Sequence, residues 1–259
     1  MKFFTQTAGG IGDILLHMMK PGSHLGYFPA LKARGDSTMF SVRANNDAAI
    51  QLLERLPYVD HIRFKGGKLR IDGPPDYEVL RTWDGLPWQQ PQLALDDEEQ
   101  SILADITREP YIAVHMGAAQ SNRVPPNPEK LLAGLATIGR PTVLLGIETS
   151  DDGPSVSGNR VAGIRSKLAG TPHILLPPKL RLHVAVAQRS TKFIGTISCF
   201  NCAAQLAHIP SFLLVNRSCH DPGIYGMMSK NGAHAEAWNI EGGTPLDVIY
   251  KRAVEWAAR

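Results

Sequence analysis

Short apolar runs alternate with amphipathic helical segments along most of this chain, and no other feature narrows the fold as much. In the first hundred residues, Lys2–Thr7, 38–42 and 62–64 read as strands, with helical character over 14–19, 28–34 and 48–56. Segment 48–56 places Ile50, Leu52, Leu53 and Leu56 at helical spacing, and Pro57 ends it. The stretch 66–92 is rich in Gly, Pro and Trp and reads as irregular, with some short strands. The second half is clearer. Apolar strands are expected at 111–115, 142–145, 173–176, 192–194 and 211–215, with helices at 129–138, 182–189, 201–207 and Leu246–Ala258. Strands and helices alternating at this spacing predict an α/β protein with parallel sheets and right-handed crossovers. A chain of 259 residues accommodates two such units. The boundary is expected near 96–110, giving domains 1–100 and 101–259.

Composition excludes some classes. A hydrophobic fraction of 43% with 20% charged residues is ordinary for a globular protein, and a net charge of +3 favours an anionic partner without requiring nucleic acid. No apolar run approaches the ~18 residues that span a bilayer, and the opening MKFFTQTAGGIGD reaches glycines and an acid too early for a signal peptide. The three cysteines fit a reducing compartment. A cytoplasmic protein without a transmembrane segment is the expectation.

In an open parallel sheet, ligands sit beyond the carboxyl ends of strands. Three such loops carry informative residues. Gly9, Gly10 and Gly12 follow the first strand and permit a tight turn, and Asp13 then stands at a helix N-terminus, where capping is the commoner role for an Asp. The run is not a dinucleotide fingerprint, because Leu15 stands where a third glycine is needed. The second loop runs from His115 through Met116, Gly117 and Ala118 to Arg123. Backbone N–H groups plus one cation suit a diphosphate, and a solvated surface Arg is the plainer reading. The third, Gly195-Thr196-Ile197-Ser198-Cys199-Phe200-Asn201, offers hydroxyls that either cap a helix or hold phosphate oxygens. Cys199-x-x-Cys202 with Cys219-His220 downstream has metal-like spacing, but buried thiols at a helix start explain it as well. Trp83 and Trp88 suit either sugar stacking or packing. No Asp-x-Asp pair stands on a strand-end loop; Asp151-Asp152 precedes Gly153-Pro154 as a turn would.

Taken together, these segments resemble glycosyltransferase family 9, the heptosyltransferase-like enzymes of the GT-B superfamily. The resemblance lies in GGIGDILL with FPALKAR, LLERLPYVDHIRF, PQLALDDEE, YIAVHMGAAQSNRVPP, PTVLLGIETSDD and LRLHVAVAQRSTKFIGTISCFNCAAQLAHIPSFLLV. It implies two Rossmann-like domains facing a cleft, the N-terminal one binding acceptor and the C-terminal one the nucleotide sugar. It implies a metal-independent inverting glycosyltransferase without cofactors. Asp13 is then the general base. Gly117, Ala118, Arg123, Glu148, Thr196, Ser198 and Asn201 bind donor, with Arg123 on the leaving diphosphate and Glu148 on the ribose.

The donor implied is an ADP-sugar and the acceptor an unidentified hydroxyl, nucleic acid entering only as an acceptor. Thr196 and Asn201 stand where the family usually has Asp and His, which points to a donor sugar other than heptose. The PGSHLGY segment, absent from the usual pattern, is placed to line the acceptor site. Two other readings remain open at this stage: a GT-B-like binding protein without catalysis, and another nucleotide-sugar enzyme such as an epimerase.

Overall fold

The computed structural model describes residues 1–7, 14–15, 18, 22–42, 52–64, 76–79, 85–117, 124–148, 171–216, 232–238 and 243–259. The chain divides into two compact units, Met1–Ala94 and Leu95–Arg259. Each is an α/β unit built on a parallel sheet.

In the first unit, β1 (Lys2–Thr7), β2 (Ser37–Val42), β3 (His61–Phe64) and β4 (Glu78–Val79) lie in the order β3-β2-β1-β4, every pair parallel. Helix α1 (Phe28–Ala33) carries Pro29 in its first turn, where a missing N–H costs nothing. It ends on Gly35 at φ +83°. Gly35 N–H donates to Lys32 O and Asp36 N–H to Leu31 O, so the last carbonyls are satisfied and the chain turns directly into β2. Asp60, from the Pro57–Asp60 turn, accepts from Thr38 N (2.8 Å) and Lys32 Nζ (2.6 Å) and so ties the start of β2 to α1.

The PGSHLGY segment has a packing role in this unit. His24–Tyr27 forms a 3-10 turn, His24 Nδ1 meets Thr5 Oγ1 at 2.8 Å, and Trp88 lies against Gly26. The indole N–H donates to Ser23 O (3.0 Å), and a Cβ on Gly26 would stand 2.1 Å from that nitrogen. Trp88 is thus held by packing, not left open for stacking. Trp83 lies outside the described residues.

The second unit runs α2 (Asp97–Ile106), β5 (Ile112–His115), α3 (Pro128–Ala136), β6 (Thr142–Glu148), β7 (Ile174–Leu176), α4 (Leu180–Arg189), β8 (Lys192–Thr196), α5 (Cys199–Leu206), β9 (Ser211–Asn216), β10 (His234–Trp238) and α6 (Leu246–Ala258). The sheet order is β10-β9-β8-β5-β6-β7, again all parallel. Central strands β5 and β9 are buried along their whole length, as expected of a sheet covered on both faces.

One face packs Ile112, Val114, Ile194 and Phe212 against Leu131 and Leu135 of α3 and Ile249 and Ala253 of α6. Gly134 lets those two helices close, since a Cβ there would meet Val254 Cγ2 at 2.7 Å. The alternate residues Ala113, His115, Phe193 and Gly195 take the opposite face, where His115 meets Phe200 of α5.

Helix α2 was not expected from the sequence. Its acidic start is ordered by a capping box: Glu99 N–H donates to Asp96 and Asp96 N–H to Glu99, both at 2.8 Å. Glu99 also receives the Nε of Arg181, on α4, at 3.3 Å, and both side chains are buried.

Removing one partner of a buried pair strands the other charge, at a cost of about 3–5 kcal/mol. Arg181→Met is therefore expected to lower unfolding free energy by about that amount, read from urea titration. Arg181→Met with Glu99→Gln should recover part of the loss, because the amide removes the stranded charge and its oxygen still accepts from Asp96 N–H.

Candidate active site

The sheet of the second unit reverses direction at one place. From β5 the chain adds β6 and β7 on one side, then returns to place β8 against the other side of β5. The gap between the carboxyl ends of β5 and β8 is the topological switch point, where such sheets bind ligands. Two of the three loops singled out in the sequence end there: Met116-Gly117 after β5, and Ile197-Ser198 after β8.

Strand β8 extends two residues beyond its expected end and takes in Gly195 and Thr196. Gly195 pairs with His115, and a Cβ on it would lie 2.1 Å from the His115 carbonyl oxygen, so this close approach requires glycine. Thr196 is fully buried, and its hydroxyl donates to Gly117 O at 2.8 Å. That engages its single proton and joins the two strand-end loops.

Capping belongs to Ser198. Its extended backbone (φ −158°, ψ 176°) starts α5, and its Oγ accepts from Asn201 N at 3.3 Å. The remaining first-turn N–H groups and the helix dipole favour an anion.

Asn201, in the first turn of α5, is fully buried, yet neither its Oδ1 nor its Nδ2 has a hydrogen-bond partner. An unpaired buried amide costs about 1–3 kcal/mol. Beside it, desolvation pushes the thiol of the partly exposed Cys199 up to about 12, which favours the protonated form at neutral pH. Among the described residues no cluster of His, Cys, Asp or Glu is arranged to hold a metal; Cys219 and His220 lie outside them.

On the other side of β5, strand β6 runs on to Glu148 through a bulge. Pairing with β7 passes from Leu144–Leu175 directly to Glu148–Leu176, and Gly146 in between has φ +71°. Two buried histidines, His183 and His115, hold this bulge. Gly146 N–H donates to His183 Nδ1 (3.0 Å), and His183 Nε2 faces Pro177 O at 3.0 Å. An Nδ1 that accepts places the proton on Nε2, which donates to Pro177. His115 Nδ1 is 2.9 Å from Leu145 O, the neighbouring carbonyl. Phe200 joins the two rings, with centroids 4.8 Å from His115 and 5.9 Å from His183. Burial pushes both imidazoles down to about 4, partly opposed by their hydrogen bonds to backbone carbonyls.

Gly117, Glu148, Thr196, Ser198 and Asn201 thus stand at the carboxyl ends of three strands of one sheet or in the helix turn that follows. Ala118, Arg123, Gly9, Gly10, Gly12 and Asp13 lie outside the described residues, as do Asp151-Asp152 and the side chain of Glu148.

No family profile and no curated protein sequence matches the chain. Solved structures do. The glycosyl transferase family 9 structure from Veillonella parvula aligns over 99% of this chain and 95% of its own, with TM-score 0.59 and 13% identity. E. coli ADP-heptose lps heptosyltransferase II aligns over 99% of both chains, with TM-score 0.57 and 16% identity. E. coli heptosyltransferase WaaC, solved with ADP, aligns over 100% and 98%, with TM-score 0.54 and 13% identity. The fold is that of the family 9 glycosyltransferases. At these identities the likeness is one of fold, and function has to be argued from the site. Among the described residues, no helix is long and apolar enough to cross a membrane.

The buried imidazoles generate a pH dependence. Each has a folded pKa of about 4 against an ordinary 6.5, so between those values the unfolded chain binds more protons. The stability they contribute is present in full above about 6.5, falls as pH drops from there to about 4, and changes no further below. Urea midpoints between pH 7.5 and 4.5 should decline by the equivalent of several kcal/mol. His183→Gln should flatten part of that decline.

Proposed function

We propose that this chain is a cytoplasmic, inverting glycosyltransferase that moves a sugar from a nucleoside-diphosphate donor to an acceptor hydroxyl without a metal ion. The observation that carries this reading is Asn201. A fully buried amide with both polar ends unpaired sits in the first turn of a helix at the switch point of the sheet, where a polar ligand would satisfy it.

In this reading the second unit holds the donor. Its diphosphate lies on the N-terminal turn of α5, with the free proton of Ser198 and the guanidinium of Arg123 facing its oxygens. Gly117 and Ala118 allow the close backbone approach. Thr196 acts by positioning, since its proton holds Gly117. Glu148 accepts from the ribose hydroxyls, and Asn201 offers one acceptor and two donors to the sugar.

The first unit serves the acceptor, with Asp13 following the Gly9, Gly10 and Gly12 turn. Asp13 takes the proton from the acceptor hydroxyl as that oxygen bonds to the anomeric carbon. The bond from that carbon to the diphosphate breaks on the opposite face, which inverts the centre. The charge left on the diphosphate is held by Arg123 and the α5 N–H groups, the electrostatic part that a metal plays elsewhere.

WaaC, which shares the fold, was solved with ADP and also with ADP-2-deoxy-2-fluoro heptose, so an adenine nucleotide is the first donor to test. Thr196 and Asn201 are neutral and supply no charge of their own where a carboxylate and an imidazolium would, and Thr196 is turned to Gly117, so we assign a donor sugar other than heptose.

Calorimetric titration with ADP, UDP and GDP in the presence of EDTA is expected to show saturable binding of ADP. Binding of none of the three would end this reading. With a productive donor and acceptor, Asp13→Asn should lose about 10²–10⁴-fold in turnover while ADP affinity and melting temperature hold. A variant that melts lower and turns over normally would make Asp13 a helix cap.

A further inference from the structure

We infer that His183 and His115 are positioning residues that fix the β6 bulge and with it the backbone position of Glu148, the residue assigned to the nucleotide ribose; this rests on the donor reading above.

The argument starts from the strand. β6 advances four residues, from Leu144 to Glu148, while β7 advances one, from Leu175 to Leu176. The backbone groups of the intervening residues therefore lose their regular ladder partners, and Gly146 takes a left-handed conformation that breaks the alternation of faces. A strand interrupted in this way does not by itself specify the face of its last residue, because one residue of slip turns every following side chain over. Something outside the ladder must fix it.

The structure supplies two such groups on one peptide unit. Leu145 O and Gly146 N belong to the same peptide, and each is bonded to a different buried imidazole, His115 at 2.9 Å and His183 at 3.0 Å. That peptide is held at both its polar ends and cannot rotate without breaking one bond or the other. His183 is itself anchored by Pro177 O, in the segment that leaves β7, so the bulge is referenced to the strand it pairs with. His115 belongs to β5, so the same peptide is referenced to the centre of the sheet. Phe200 lies against both rings from the first turn of α5. One cluster thus sets the end of β6 and also packs beneath the helix start assigned to the diphosphate.

The chemistry required of His183 is an acceptor and a donor separated by about the width of an imidazole. A glutamine amide carries the same pair; a phenylalanine fills similar space and carries neither. That contrast separates positioning from bulk.

The test is the ratio of ADP affinity to that of 2′,3′-dideoxyadenosine diphosphate, measured by calorimetry on the full chain. Loss of charge-assisted bonds to the ribose hydroxyls predicts a wild-type ratio on the order of tenfold or more. In His183→Phe the ratio should collapse to within about twofold of unity, by the loss of those same bonds, with affinity for the dideoxy analogue unchanged. His183→Gln should restore the ratio. A purely structural role would weaken both nucleotides together and leave the ratio intact.

If wild type binds ADP and does not discriminate, the ribose assignment of Glu148 falls and takes this inference with it. If wild type discriminates and folded His183→Phe discriminates equally, only this inference is overturned. Should His183→Phe not fold, His115→Phe releases the other end of the same peptide and carries the same expectation. Should neither fold, the ratio in His183→Gln decides, and its loss there refutes the inference.

Discussion

The second unit depends on how closely β5 and β8 approach at their carboxyl ends. There a backbone carbonyl, His115 O, occupies the space a side chain on residue 195 would need. One step further on, Thr196 closes the gap by donating to Gly117 O. A topological switch point is a gap by construction, because the crossovers leave it in opposite directions. Here the gap is narrow and hydrogen-bonded at its floor, so the loops that leave it start from fixed positions. Ser198, Asn201 and the first turn of α5 inherit that precision, as does the cluster of His115, His183 and Phe200 beneath them.

Much of the fold was legible in the sequence because buried parallel strands are runs of apolar residues, and such runs are conspicuous between turn residues. The errors have physical causes. Strand β8 was cut short at Ile194 because Gly195 and Thr196 look like loop residues, and in the fold they are what lets the strand continue against β5. Strand β6 was cut at Leu145 because a glycine and a bulge interrupt the pattern there. Helix α2 falls in the region read only as the domain boundary, although Asp96-x-x-Glu99 is a capping-box pattern that marks a helix start. Strand β10 has no apolar run to find: among the described residues it pairs only with β9, and its residues His234 and Glu236 face each other at 3.0 Å.

The candidate site was legible in location more than in role. Loops after strands in an α/β sequence are where to look, and Thr196, Ser198 and Asn201 stand out as candidates on that ground. Which hydroxyl capped the helix was undecided until backbone geometry assigned it to Ser198. The histidines were out of reach altogether. His115 and His183 are 68 positions apart in the chain, and their common task is defined only by a peptide on a third element. A sequence does not display the distance between a ring nitrogen and a carbonyl on the neighbouring strand.

The unpaired amide of Asn201 has a practical corollary. A group buried without partners makes the empty fold less stable than it would be with them, and any compound that supplies partners returns that deficit as resistance to heat. Binding confined to the native state adds about 2.7 kcal/mol when free ligand stands a hundredfold above its dissociation constant. The melting temperature is therefore a reporter wired to the site. A panel of nucleotide sugars and candidate acceptors can be ranked by the warmth at which the chain lets go, before any reaction has been observed.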